Sequence, residues 1–123
     1  MKIKTSELKG LALDYAVAIC EYPKLVYGET IGEHYASRQI VIPEFKEPDC
    51  YYAPSVKWEL AGPIIEREKI AIMCPSTGDF WDARANVFPA EYWRGETPLI
   101  AAMRCYVASK LGDEVEIPKE LVG

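Results

Sequence analysis

"TPLIAAMRCYVASKLG", residues 97–112, is the most sharply punctuated stretch of this 123-residue chain, and the fold is read outward from it. Thr97 offers a side-chain oxygen to the free N–H groups that open a helix. Pro98 suits the first helical position, where no backbone donor is needed. Gly112 supplies the residue that most easily ends a helix. Between them Ile100, Met103, Val107 and Leu111 recur at three- and four-residue intervals, widened by Leu99, Ala102 and Tyr106. That stripe predicts a packing helix over about 97–111. Arg104 flanks it, within reach of a carboxylate on a neighbouring helix. If part of the stripe stayed exposed, a homodimer would be a reasonable assembly.

Upstream, Leu8, Leu11, Ala12, Tyr15, Ala18 and Ile19 share a helical face, with Lys9, Asp14 and Glu21 outside it. This predicts a helix over about 10–21, with Thr5 and Ser6 capping an earlier turn and Tyr22-Pro23 ending it. "SVKWELAGPIIEREK" (55–69) predicts a second helix with Ser55 as its cap and Trp58, Ala61, Ile64 and Ile65 on one side. Gly62-Pro63 either kinks or divides it. "IAIMC" (70–74) and the alternating "FWDARANV" (80–87) flank the turn composition "PSTGD", so a β-hairpin is expected over about 70–87. "FPAEYWRGE" (88–96) reads as a loop with exposed aromatics, and Val115–Ile117 as a short edge strand. Residues 23–54 differ in character, carrying Pro23, Pro43, Pro48 and Pro54 among tyrosines, and only "RQIVIP" (38–43) reads as a strand. The whole chain, 1–123, is read as a single domain with an irregular Tyr/Pro-rich excursion at 23–54. The order of elements predicts an α+β fold: a small α/β/α-type sandwich with a mostly antiparallel sheet, packed by helices at about 10–21, 55–69 and 97–111.

Composition narrows the function classes. With 14 basic and 19 acidic residues the formal charge is -5, and the pI is about 4.9. No basic run occurs, so binding to a phosphate backbone is disfavoured. The early apolar run is interrupted by Asp14, and Ile19 before Cys20 is wrong for a processed leader; no run approaches a membrane span. The expected setting is the cytoplasm. Cys20, Cys50, Cys74 and Cys105 are too far apart for a zinc knuckle, and His34 is the single histidine. Neither a metal nor another cofactor is expected, and the thiols read as reduced and buried.

No catalytic constellation assembles. A Cys-His site would have to recruit His34 from the irregular segment. Glu66 and Glu68 are two apart on a helix and so point apart, while Asp79 fits a turn and Asp82 the outer side of a strand. No phosphate-binding glycine loop is present. The aromatics stand out more. Tyr27, Tyr35, Tyr51, Tyr52, Tyr92 and Trp93 cluster in proline-bearing segments and are the candidate partner-binding residues. Trp58, Trp81 and Arg104 are the candidate lining of a pocket between sheet and helices.

Several segments together resemble a known family. "MKIKTSEL" at the start, "ALDYAVA" (12–18), "GPIIERE" (62–68), "WDA" (81–83) and "TPLIAAMRCYVASKLGDEVEIP" (97–118) are similar to NinX-like proteins of lambdoid bacteriophages and prophages of enteric bacteria. The resemblance is carried by the first 22 residues, by 54–74 and by 95 onward, and is weak over 23–50 and 84–94. The family has no established activity and supplies no catalytic or ligand residues. What it implies is a small phage accessory protein made in the host bacterial cytoplasm. The function expected is non-enzymatic binding to a host or phage protein. The alternatives are a small-molecule-binding domain or minor enzyme, and an accessory role in phage DNA recombination or replication.

Overall fold

The computed structural model describes residues 1–23, 32–33, 40–41, 52–75, 78–85 and 91–122. In chain order these form β1 (Lys2–Lys4), α1 (Gly10–Glu21), β2 (Gly32–Glu33), β3 (Ile40–Val41), α2 (Trp58–Glu68), β4 (Ala71–Met73), β5 (Trp81–Arg84), β6 (Tyr92–Gly95), α3 (Pro98–Leu111) and β7 (Glu114–Glu116). Single 3-10 turns at Thr5–Glu7 and Lys119–Leu121 follow β1 and β7. The fold is α+β and its sheets are antiparallel: β4-β5-β6, β1-β7 and β2-β3. Most of the excursion expected at 23–54 lies outside the described residues.

Helix α3 is the element on which the others meet. It contacts α1, α2 and all three strands of the β4-β5-β6 sheet. Its start is as the residues predict, with the Thr97 hydroxyl accepting the Ile100 N–H at 3.1 Å and Pro98 at the first position. Its end is closed by the Gly112 N–H, which donates to the Ala108 carbonyl at 3.0 Å, while Gly112 takes a φ of 86°. Leu99, Ala101, Ala102, Met103, Cys105, Tyr106 and Val107 are all buried. The helix is therefore enclosed over most of its circumference, not along one stripe. Its own chain covers that surface, and each large apolar side chain so buried stabilises the fold by about 1.5–3 kcal/mol.

Helix α1 matches its expected bounds but not its expected face. Leu13, Ala16 and Val17 are fully buried along with Ala12 and Ala18, and Asp14, read as outside the apolar face, is only 5% exposed. The Asp14 carboxylate accepts the Ser55 N–H at 2.9 Å. Ser55 consequently does not cap α2; residue Lys57 occupies the cap position with no side-chain bond, and the helix begins three residues later than expected. Helix α2 runs through Gly62-Pro63 as a single helix. It ends with Lys69 in the left-handed conformation at φ 55°, where the Ile70 N–H returns to the Ile65 carbonyl and the Lys69 N–H to Glu66. That is the double hydrogen bond with which many helices close, here with a lysine in the place that glycine usually fills.

The hairpin expected at 70–87 is present as β4 paired with β5, in the register Ala71↔Arg84, Ile72↔Ala83, Met73↔Asp82. Its sheet has one strand more than expected. Tyr92–Gly95, read as loop, is β6 and pairs with β5 through Ala83↔Trp93 and Asp82↔Arg94. Gly95 lies where the strand meets the first turn of α3. A Cβ there would come within 2.9 Å of the Ala101 Cα and nearer still to its nitrogen, so the close approach requires glycine.

A second strand that was not expected, β1, pairs with β7 through Lys2↔Glu116, Ile3↔Val115 and Lys4↔Glu114. Opposite charges face each other on one side of this ribbon and apolar residues on the other. Thr5 anchors it to the end of α3. Its hydroxyl donates to the Gly112 carbonyl at 2.6 Å and its N–H to the Asp113 carbonyl at 2.8 Å, so it does not cap a turn of its own.

Candidate functional site

Among the described residues two polar assemblies and one cleft are candidates. The first assembly lies where the C-terminal ends of α1 and α2 meet α3. Arg67 grips Glu21 with two parallel bonds of 2.7 and 3.1 Å, and its Nε donates to Glu68 at 2.9 Å. The buried Tyr106 hydroxyl donates to Glu21 at 2.5 Å and accepts from Arg67 at 3.3 Å. Lys110 completes the group with a 3.2 Å ion pair to Glu68. Burial works against the Glu21 carboxylate, but Arg67 and Tyr106 outweigh it and hold its carboxyl below the usual range. Arg67, followed by Lys110, does the same for Glu68. Burial, reinforced by Glu21, pushes the Tyr106 hydroxyl well above its ordinary value. Glu21, Glu68, Arg67 and Tyr106 each keep one charge state through the neutral range and are engaged with one another. Together they clasp three helices and offer no proton donor or acceptor poised for catalysis.

Cys20 and Cys105 offer no activated thiol, on similar grounds. Burial raises the Cys20 thiol to about 12, with Glu21 adding to it, and burial raises Cys105 to about 11. Neither forms a thiolate at neutral pH. Cys74, expected to be buried, is exposed at the end of β4. Cys50 and His34 lie outside the described residues. Among the described residues no group of three or more His, Cys, Asp or Glu side chains is placed to hold a metal ion, and no helix is long and apolar enough to cross a membrane.

The second assembly is Asp14 with Ser55. Desolvation raises the Asp14 carboxyl to about 6, and the bonds from Ser55 limit the rise. A carboxyl with a raised pKa is a common mark of a functional group. This one is buried among core residues and does not line the cleft described below, so its consequence is for stability.

The cleft has a volume of about 510 Å³ and is lined by Lys4, Ser6, Glu91, Tyr92, Trp93, Asp113 and Glu114. Strand β6 supplies its aromatic side and the β1–β7 ribbon with its flanks supplies most of the polar side. Tyr92 is 58% exposed, whereas Trp93 is partly buried against the core. Two of the expected partner-binding aromatics are thus brought to one concave surface. Tyr52 is not; it is a core residue, 3% exposed, stacked edge-on against Tyr22 with ring centroids 5.9 Å apart. Tyr27, Tyr35 and Tyr51 lie outside the described residues.

The trio Trp58, Trp81 and Arg104 is spread over α2, β5 and α3. Trp58 is 55% exposed on the first turn of α2, and Trp81 packs against the core. Among the described residues Arg104 does not bridge to a carboxylate. It donates to the carbonyls of Leu8 at 2.8 Å and Arg94 at 2.7 Å, stitching α3 to the segment before α1 and to β6. Two backbone carbonyls placed within 3 Å by the packing of α3 take up the guanidinium's donors, which is the physical reason for the difference.

Sequence reasoning missed the acids of the cleft. Glu91, Asp113 and Glu114 are distributed over two separate segments, and only the pairing of β1 with β7 beside β6 assembles them. Nothing in their local spacing marks them.

The comparisons agree with the phage resemblance. The family described as Bacteriophage P22, NinX matches residues 4–110. The chain belongs to that family. The match runs through 23–50, where the resemblance of individual motifs is weak, so the family's span includes the Tyr/Pro-rich segment. It stops before the "GDEVEIP" that follows α3. No curated protein matches the chain. Membership of this family makes the chain a phage protein and brings no residue roles with it.

Proposed function

We propose that this phage protein acts without catalysis, as an accessory protein that binds and modulates a host or phage protein in the cytoplasm of the infected bacterium. The cleft between β6 and the β1–β7 ribbon is the contact surface. The observation that carries the reading is Tyr92, a large aromatic side chain 58% exposed at the wall of a concave surface that it shares with Trp93 and with charged side chains. Aromatic side chains placed this way contribute strongly to protein interfaces, because one ring covers a large area while losing few rotamers. Support also comes from the titratable groups. Those shifted furthest are engaged in holding helices together or are sealed in the core, outside the cleft.

The reading is tested by replacing Tyr92 with a photo-crosslinking phenylalanine analogue in the protein expressed in host cells during infection. The same analogue at Lys69, exposed at the end of α2, is the control. A discrete protein adduct from position 92 and none from position 69 is expected. Absence of an adduct at 92, or the same adducts from both positions, refutes the reading.

A further inference from the structure

We infer that the cleft accepts an extended, arginine-bearing segment of a partner protein, with the guanidinium held between the Tyr92 ring and the carboxylates of Glu91 and Asp113. The inference rests on the reading of the cleft as a protein contact surface and names the chemistry of what enters it.

Among the described residues the cleft holds three carboxylates, Glu91, Asp113 and Glu114, against one cation, Lys4. Lys4 stands directly opposite Glu114 in the β1–β7 register, so that cross-strand pair is locally compensated. Glu91 and Asp113 have no such partner: among the described residues neither enters an ion pair. The contrast with the helix clasp is informative. There, Glu21 and Glu68 are neutralised by Arg67 and Lys110 from their own chain. At the cleft Glu91 and Asp113 are exposed, with no ion-pair partner among the described residues.

The aromatic side selects the same kind of ligand. The face of an aromatic ring attracts a cation, and a guanidinium satisfies both requirements, stacking on a ring while presenting a fork of donors to a carboxylate. A lysine ammonium would meet the charge but not the stacking. A phosphate or an acidic peptide would be repelled by the carboxylates and by the overall charge of -5. At about 510 Å³ the cleft falls within the range of sites that hold a few side chains, so an extended segment fits it better than the flat face of a domain.

The test uses the full chain and a dye-labelled, end-capped peptide of alternating glycine and arginine, with glycine-lysine, glycine-glutamate and glycine-serine peptides of the same length for comparison. Fluorescence anisotropy is read at low salt and again at physiological salt. The arginine peptide is expected to bind most tightly and to weaken as salt screens the carboxylates. Tyr92→Ala is expected to weaken it roughly fivefold. The double substitution Glu91→Gln with Asp113→Asn should weaken it on the order of tenfold and flatten the salt dependence. All three positions are exposed, and circular dichroism verifies that the variants fold.

Equal binding of the serine or glutamate peptide, no binding of any peptide, or arginine-peptide binding unchanged in both variants overturns the inference. So does tighter binding of a DNA oligonucleotide than of the arginine peptide at the same salt. A crosslinked adduct at position 92 without arginine-peptide binding leaves the contact surface standing and removes only its proposed ligand. Failure of both experiments removes both.

Discussion

Replacing Asp14 with asparagine should stabilise this protein at neutral pH and remove one component of its pH dependence. The Asp14 carboxylate lies in the core, 5% exposed, and accepts the Ser55 N–H at 2.9 Å; among the described residues it enters no ion pair. Its pKa rises from 3.8 to about 6, chiefly through desolvation. The native state therefore binds this proton more tightly than the unfolded chain does. Its contribution is fully present below pH 4 or so and is lost as pH rises through about 6. A shift of this size corresponds to about 3 kcal/mol, since each pKa unit is worth about 1.4 kcal/mol. Asparagine keeps an acceptor for the Ser55 N–H and can donate its amide to the Ser55 hydroxyl, but carries no charge to desolvate.

Urea denaturation of both proteins across about pH 4 to 8 checks this. The difference between variant and parent at each pH cancels the other acids, including Glu21 and Glu68. Asp14→Asn should match the parent near pH 4 and exceed it by up to about 3 kcal/mol at pH 7, with an unchanged slope against denaturant. In a melting experiment that is a gain of about 10 °C for a domain of this size. A variant less stable than the parent by a constant amount across the range would refute the reasoning. It would mean that the ionised carboxylate gains more from Ser55 than it loses on leaving water.

Three further substitutions probe the rest of the structure. Tyr106→Phe removes the bonds to Glu21 and Arg67 without opening a cavity, and should cost about 1–2 kcal/mol at pH 7. Because Glu21 is held below its usual pKa, its contribution is present above the unfolded value and lost in acid, so the deficit of Tyr106→Phe should shrink as pH falls below about 4. Gly95→Ala forces a methyl group against the backbone of Ala101 and should cost about 1–3 kcal/mol, seen as a lower urea midpoint. Lys69→Gly relieves a left-handed lysine at the end of α2 and should gain about 0.5–1 kcal/mol in the same assay. A loss on Lys69→Gly would show that its side chain contributes more than its backbone conformation costs.

Much of the fold was legible because its signals are local. The Thr97-Pro98 start and the Gly112 stop each act within one helical turn, and α3 begins and ends where they place it. The β4–β5 hairpin announced itself through an apolar run, a turn composition and an alternating run. Strand β1 was missed because Lys-Ile-Lys contains no apolar run, and β6 because Tyr92 and Trp93 follow Pro89 in a segment whose composition reads as loop. In retrospect the Lys-Ile-Lys of β1 is the complement of the Glu-Val-Glu of β7, but that match spans the length of the chain and has meaning only once the two are paired. Ser55 looked like a helix cap because a serine before a helix usually is one, and its actual partner is 41 residues away.

The candidate site was half legible. Tyr92 and Trp93 stood out by type, since exposed aromatics are read by composition. The acids facing them did not, because a carboxylate on a surface strand is ordinary until a cleft forms beside it.

By itself, then, the sequence determined the elements whose causes lie within a few residues, together with the acidic character and the family. Tertiary structure alone decided which polar side chains are free. Glu21 and Arg67 are 46 residues apart and neutralise each other, Arg104 is taken up by two carbonyls, and Asp14 is drawn into the core. Glu91 and Asp113 are left facing a cleft. Those outcomes follow from distances of a few ångströms between segments remote in the chain, where charge and hydrogen bonding act through space and local spacing carries no record of them.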